Sequence, residues 1–347
     1  MACGRLLRNS RACWHGMLLL LALCLPSSPC LAATPGPYKI LLLLSGDDKA
    51  YDEAARSLSS SLLRSAGRAL PFDIRRQVLP PEGAISLSRP DSLLDADYAV
   101  VVPIGTAASR AVKTAGGDTP VLNILTTKDA FDAVWSPAGR SADRHVSAIY
   151  LEQPVSRQIR FIRLTLPRHT NCGVLLGRNS LGLKPDLGAA AAESRLHLNA
   201  IDISVARTPI DGIRDVIASN DVILAVPDAE VLTPNIAKWL LYMAYQKEIP
   251  VIGFSRAIVD AGALAAIYST PEQIGRQAAE IILRAALDAR DKHGTAWRLP
   301  PAQYPGYFEV AINESVARSL RIRVRSGSFL ARSLLNQERS GSWRAQN

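Results

Sequence analysis

The 347 residues are 48% apolar and 20% charged, a balance that excludes a disordered chain and supports a buried core in one large domain or two. The formal net charge of +9 sits at the ends: three arginines in the first 32 residues, and seven arginines against Glu338 from Arg318 onward. Residues 33–317 are therefore neutral, which leaves no electrostatic footprint for nucleic acid on the body of the chain.

Residues 1–32 read as an export signal. Arg5, Arg8 and Arg11 precede the apolar run Met17–Leu25, and Cys30-Leu31-Ala32 meets the small-x-small rule, so cleavage is expected after Ala32. The run is shorter than the roughly 20 residues of a membrane span, which predicts a soluble periplasmic product. A lipid anchor fits poorly, because Leu23 and Pro29 precede Cys24 and Cys30 where a small residue is wanted. Only Cys172 remains after the leader, so neither an internal disulfide nor a thiolate metal site is expected, and the residue reads as a small core hydrophobe.

From Tyr38 the pattern alternates. Tyr38–Leu44 predicts a buried strand ending in Ser45-Gly46-Asp47, and residues 50–67 a helix with Ala54, Leu58, Leu62 and Ala66 on one face. Strands follow at Phe72–Val78, Tyr98–Ile104 and Pro120–Leu125, with a helix over 106–115. After an extended piece at Ser147–Leu151, Val155, Ile159, Ile162 and Leu166 mark another helix that Pro167 ends. A second round predicts strand 172–176, helix 186–197, strand 200–205, helix 210–219 and strand 222–226. Thr233-Pro234 opens the next helix, Pro250–Phe254 is the next strand, and Thr270-Pro271 with Gln273 forms a capping box. Two rounds of β-α-β alternation imply an α/β fold of two doubly wound parallel-sheet lobes.

Three stretches carry a family resemblance. Val101–Ala108 is similar to a first-lobe GT-x-AA turn, EQPVSRQIRFIRLTLPRHTNCGVLLGRNS to the start of a second lobe, and EIPVIGFSRAIVDAGALAAIYSTPEQIGRQAAEIIL to a closing segment. Together with YFEVAINESVARSLRI they make residues 37–322 resemble a family of ABC-transporter substrate-binding proteins that includes tryptophan and tyrosine binders. The family's VTDP turn is replaced here by Thr126-Thr127-Lys128-Asp129. The resemblance implies a type I periplasmic-binding-protein fold with a hinge. Lobe one would be 37–148 with 270–306 and lobe two 150–267 with 308–322, crossing near Ser147–Leu151, Ala265–Thr270 and Tyr307–Asn313. Residues 323–347 are expected to form a basic, poorly ordered tail, either a solvated extension or a contact with an anionic membrane surface.

In open α/β sheets ligands bind beyond the carboxyl ends of the strands. The candidate ligand-binding residues are accordingly Ser45, Thr106 and Thr126 in lobe one, and Asn179, Ser180, Asp228 and Ser255 in lobe two. Thr106 opens a helix and can help receive a carboxylate. Asn179-Ser180 match the family's Asn-Ser turn, and Asp228 its acidic position after a strand, where a carboxylate can neutralise a ligand ammonium. No GxSxG, HExxH, P-loop or dinucleotide fingerprint occurs, so neither catalysis nor a cofactor or metal is expected. The implied function is a monomeric periplasmic protein that hands a small polar, amino-acid-like ligand to an ABC permease by hinge closure. A periplasmic sensing module docking on a membrane receptor, and an exported enzyme, are the alternatives.

Overall fold

The computed structural model describes residues 36–67, 70–80, 97–135, 145–228, 230–291 and 297–340. The leader expected over residues 1–32 lies outside them, as do residues 341–347 of the tail.

Five parallel strands form the first sheet, in the order β2-β1-β3-β4-β5. They are β1 (Tyr38–Leu44), β2 (Phe72–Val78), β3 (Val100–Ile104), β4 (Val121–Thr126) and β5 (Val146–Tyr150), interleaved with α1 (Lys49–Ala66), α2 (Thr106–Ala115) and α3 (Lys128–Trp135). Five consecutive residues of β1, Ile40–Leu44, are buried, because helices cover both faces of the sheet. Side chains alternate between those faces. Ile40, Leu42 and Leu44 join Leu58 and Leu62 of α1, whereas Leu41 and Leu43 join Ala108 and Val112 of α2.

The second sheet has the order β11-β10-β9-β8-β6-β7 and is parallel except for β11. It comprises β6 (Asn171–Leu176), β7 (His197–Asp202), β8 (Val222–Leu224), β9 (Val251–Gly253), β10 (Ala265–Tyr268) and β11 (Glu309–Ile312). Its helices are α4 (Val155–Thr165), α5 (Lys184–Glu193), α6 (Pro209–Ala218), α7 (Pro234–Gln246), α8 (Arg256–Asp260), α10 (Glu314–Ser319) and α11 (Gly327–Arg339). Helix α9 (Pro271–Asp291) leaves this sheet and packs on α1, where Gly275 lets the two backbones touch at Ala54. Thr270 and Gln273 close its capping box reciprocally, at 3.1 and 3.2 Å. The chain therefore changes sheets after Tyr150, after Tyr268, and between Gln303, which bridges to Ile149, and Glu309.

Two expectations are corrected. The helix and strand expected at 186–197 and 200–205 both lie earlier, at Lys184–Glu193 and His197–Asp202. The helix ends in a Schellman turn built without glycine: Arg195 takes φ 55°, and the Leu196 N–H reaches back to the Ala191 carbonyl at 2.9 Å. Buried Leu196 anchors that turn.

The tail expected to be poorly ordered from residue 323 instead forms α11. Ser326 caps it, and Leu330 and Leu334, one turn apart, are both buried against the second half. The arginines lie on its outer face, so the charge count concealed an amphipathic helix. Leu330→Ala is expected to destabilise the protein by about 2–4 kcal/mol, against about 0.5 kcal/mol or less for exposed Leu63→Ala, measured by urea unfolding.

Candidate functional site

The carboxyl ends of the first sheet hold closely fitted polar turns. Ser45 follows β1, and its Oγ accepts the Ala108 N–H at 2.9 Å, so a residue from one strand caps the helix after another. Gly105 is the N-cap of α2, with φ 91°; a Cβ there would meet Ser45 Oγ at 2.6 Å. Thr106 is the first residue of α2 and half-buried. Thr126 ends β4 after a bulge in which Leu125 takes φ 53°. Its side chain is 1% exposed and its hydroxyl is without a hydrogen-bond partner.

Beside Thr126 lies a residue absent from the sequence candidates. The Leu151 N–H bonds the Thr126 carbonyl, and Glu152 Oε1 accepts the Lys128 N–H at 2.8 Å at the start of α3. Glu152 Oε2 is enclosed without a partner. Burial pushes the Glu152 carboxyl up to about 7, outweighing the Lys128 N–H, which opposes it. Asp129 is likewise raised, first by burial and then, against the pull of Lys128, by the charges of Asp132 and Asp228. Lys128 itself is paired with Asp132 at 2.6 Å.

In the second half, Asp228 binds two loops together. Its Oδ2 accepts Ser180 Oγ at 2.6 Å and the Gly177 N–H at 3.2 Å, and its Oδ1 accepts the Glu230 N–H at 2.8 Å. A carboxylate has about four acceptor sites, so one remains for a further donor. Any Cβ at Gly177 would stand 2.9 Å from Asp228 Oδ2, which explains the glycine. Ser180 is buried; Asn179 beside it is exposed. Ser255 caps α8 through the Ile258 N–H at 3.4 Å.

Of the sequence candidates, the structure joins Ser180 to Asp228 and places Ser45 and Thr106 together at the start of α2. No described contact joins Ser255 to either group. Across the halves, Asp228 acts electrostatically on Asp129, and Tyr304, raised by burial, feels Glu152, Asp186 and Asp129. Tyr304 meets Tyr150 edge-on at 5.1 Å, and Tyr150 meets Phe131 at 5.9 Å. The carboxyl ends of both sheets thus converge on Asp129, Glu152, Asp186 and Asp228. These acids are spread rather than clustered: among the described residues no three His, Cys, Asp or Glu side chains are placed to hold a metal. A signal for Asp129 was present, in the departure from the family's turn at residues 126–129. Glu152 heads the family-like run EQPVSRQ, but nothing in the sequence marked it as a buried carboxyl, because its partner is the Lys128 N–H of α3.

One hydrogen-bond network joins the three sheet crossings. Arg157 donates to Gln153 Oε1 at 2.6 Å, to the Pro305 carbonyl at 2.8 Å and to both oxygens of Glu338 on α11, and it stacks on Phe308. Gln153 Nε2 donates to Ser269 Oγ, which donates to the Tyr307 carbonyl.

A sequence profile described as ABC transporter substrate binding protein matches residues 82–325. Similar solved structures include a ligand-free, open substrate-binding protein with adhesive properties from Clostridium difficile, at TM-score 0.65 and 17% identity, covering 83% of this chain and 96% of that one. A conserved domain protein from Vibrio cholerae aligns at TM-score 0.57 and 20% identity, covering 86% and 98%. An ABC domain from Streptococcus pneumoniae in complex with L-Trp aligns at 0.55 and 17%, covering 85% and 98%. No curated protein matches the sequence. The solved neighbours share the fold, two parallel-dominated sheets of the type I periplasmic-binding-protein kind.

Two outcomes follow from the site's electrostatics. With a folded value near 7 above an unfolded value near 4.5, Glu152 keeps its proton longer in the folded chain; its contribution to stability is lost as pH rises between those values and stays lost above them. Glu152→Gln should therefore match the parent at pH 4 and exceed it at pH 8 by up to about 3 kcal/mol in chemical unfolding. Arg157→Met should cost about 3–5 kcal/mol, because it leaves Glu338 partly buried and unpaired, and adding Glu338→Leu should recover much of the loss.

Proposed function

Since the chain belongs to the family of ABC transporter substrate-binding proteins, we propose that it captures a small ammonium-bearing, amino-acid-like solute and delivers it to an ABC permease. The supporting observation is the convergence of Asp129 and Glu152 from one sheet with Asp186 and Asp228 from the other. Of the cations described at these strand ends, Lys128 is paired with Asp132 and Arg178 with Glu230, while Lys184 opens α5 beside Asp186. Asp129, Asp186 and Asp228, ionised at neutral pH, outnumber the unpaired cations at these strand ends and favour a positively charged guest, with Glu152 able to ionise as that charge arrives.

In this reading the lobes are residues 37–148 with 270–306 and 150–267 with 308–322. Closure about the Arg157 network brings the acids of both onto one ligand, and that differential contact drives the closed state. Asp228 uses its remaining acceptor site for the ligand ammonium, with Ser180 holding the carboxylate in place. Asn179 adds an amide group at the rim, and buried Thr126 adds its unpartnered hydroxyl from beneath. Thr106 and the start of α2, already fixed by Ser45, receive the ligand's carboxylate, whereas Ser255 acts by shaping the turn into α8. Capture takes place in the periplasm, by a monomer freed of its leader after Ala32.

A thermal-shift screen of the mature chain tests this against amino acids, amines, organic anions and neutral sugars. A ligand carrying an ammonium group should raise the melting temperature, equivalent to about 2.7 kcal/mol at 100 times its dissociation constant. Asp129→Asn should weaken that binding at least tenfold without unfolding the protein. A response confined to anions or neutral sugars, or none at all, would sink the proposal.

A further inference from the structure

Far from the carboxyl ends of the strands, a cavity opens at the amino end of β6. It measures about 530 Å³ and is lined by Thr165 to His169, which link α4 to β6, and by Arg321 to Arg323, which link α10 to α11. Its charged lining is cationic: Arg168, Arg321 and Arg323. Arg318, just outside, is paired with Glu314, but among the described residues no carboxylate lies within ion-pair distance of those three. Asp221, whose charge reaches His169, is held by the Thr170 and Asn171 N–H groups at 2.9 and 3.0 Å.

The wall of the cavity also contains unsatisfied polar atoms. Thr165 is 3% exposed, and its hydroxyl has no partner; His169 Nδ1 is enclosed in the same condition. Buried polar groups are ordinarily bonded, and the exceptions call for a cause. The local backbone is firmly set, since Arg163 donates to the carbonyls of Pro167 and His169. On the facing segment, Ile322 and Val324 pack against the core, whereas Arg321 and Arg323 are exposed.

We propose that this cavity is a binding site for a phosphate-bearing molecule, held by Arg168, Arg321 and Arg323 with Thr165 as a neutral donor. Each guanidinium presents a planar fork of N–H donors that matches two phosphate oxygens. The volume exceeds what a bare phosphate fills and leaves room for an attached organic body. A soluble phosphomonoester and a phospholipid headgroup present the same chemistry. The site stands apart from the solute-binding reading and does not depend on it.

The test uses the mature full-length protein with glycerol 3-phosphate in calorimetry, and with phosphatidylglycerol or phosphatidylcholine vesicles in flotation. Saturable binding to glycerol 3-phosphate identifies a soluble source; binding to phosphatidylglycerol vesicles alone identifies a headgroup. Either supports the site, provided Arg168→Gln weakens binding at least threefold, the triple Arg168→Gln/Arg321→Gln/Arg323→Gln variant at least tenfold, and Thr165→Val at least threefold. The last variant keeps every charge and separates a built site from diffuse attraction. Should the triple variant fail to fold, Arg168→Gln and Thr165→Val decide between them. Absence of binding to either probe, or binding indifferent to Arg168→Gln and Thr165→Val, overturns the proposal.

Discussion

The buried guanidinium of Arg157 is the constraint on which the two halves depend. Its side chain is 5% exposed and must satisfy its donors internally, because an unpaired buried charge costs several kcal/mol. The partners come from every segment that passes between the sheets: Gln153 after the first crossing, Pro305 and Phe308 at the third, and Ser269 at the second through Gln153. Glu338 completes the set from the far end of the chain. This is why an arginine-rich tail must fold: without α11 the central charge would lose its carboxylate. In the proposed mechanism the same network is the pivot, and it keeps the connecting segments in register while the halves move.

Unpaired charge differs between the two ends of the strands. At their carboxyl ends stand Asp129, Glu152, Asp186 and Asp228; at the amino end of β6, and on the segment before α11, stand arginines without acidic partners. Net charge alone conceals both groups. The turns at the acidic end are held by close packing. Gly105 and Gly177 admit Ser45 and Asp228 where a side chain would block them, so the loops are preset before any ligand arrives. Such preorganisation lowers the ordering cost of binding.

Much of the architecture was legible in the chain itself, because it is encoded by short-range rules. Continuous apolar runs such as Ile40–Leu44 announce strands covered on both faces, and Thr270-Pro271 with Gln273 announces the start of α9. The parallel sheets and the placing of polar turns at strand ends follow from such signals, whereas the family rested on the resemblance of longer stretches. The end of α5 was misplaced because Arg195 occupies a left-handed turn where glycine would have been the signal.

Tertiary structure alone decided what depends on distant partners. The role of Glu152 could not be read from its neighbours in sequence, since its carboxylate is held by the Lys128 N–H, 24 positions away, and acts on Tyr304. Arg157 and Glu338 stand 181 positions apart, and no local pattern couples them. The cationic cavity likewise joins residues 165–169 to 321–323. Periodicity and capping act within a few residues and are written in the sequence, whereas desolvation and charge pairing depend on which atoms share a space, and only the folded chain sets that.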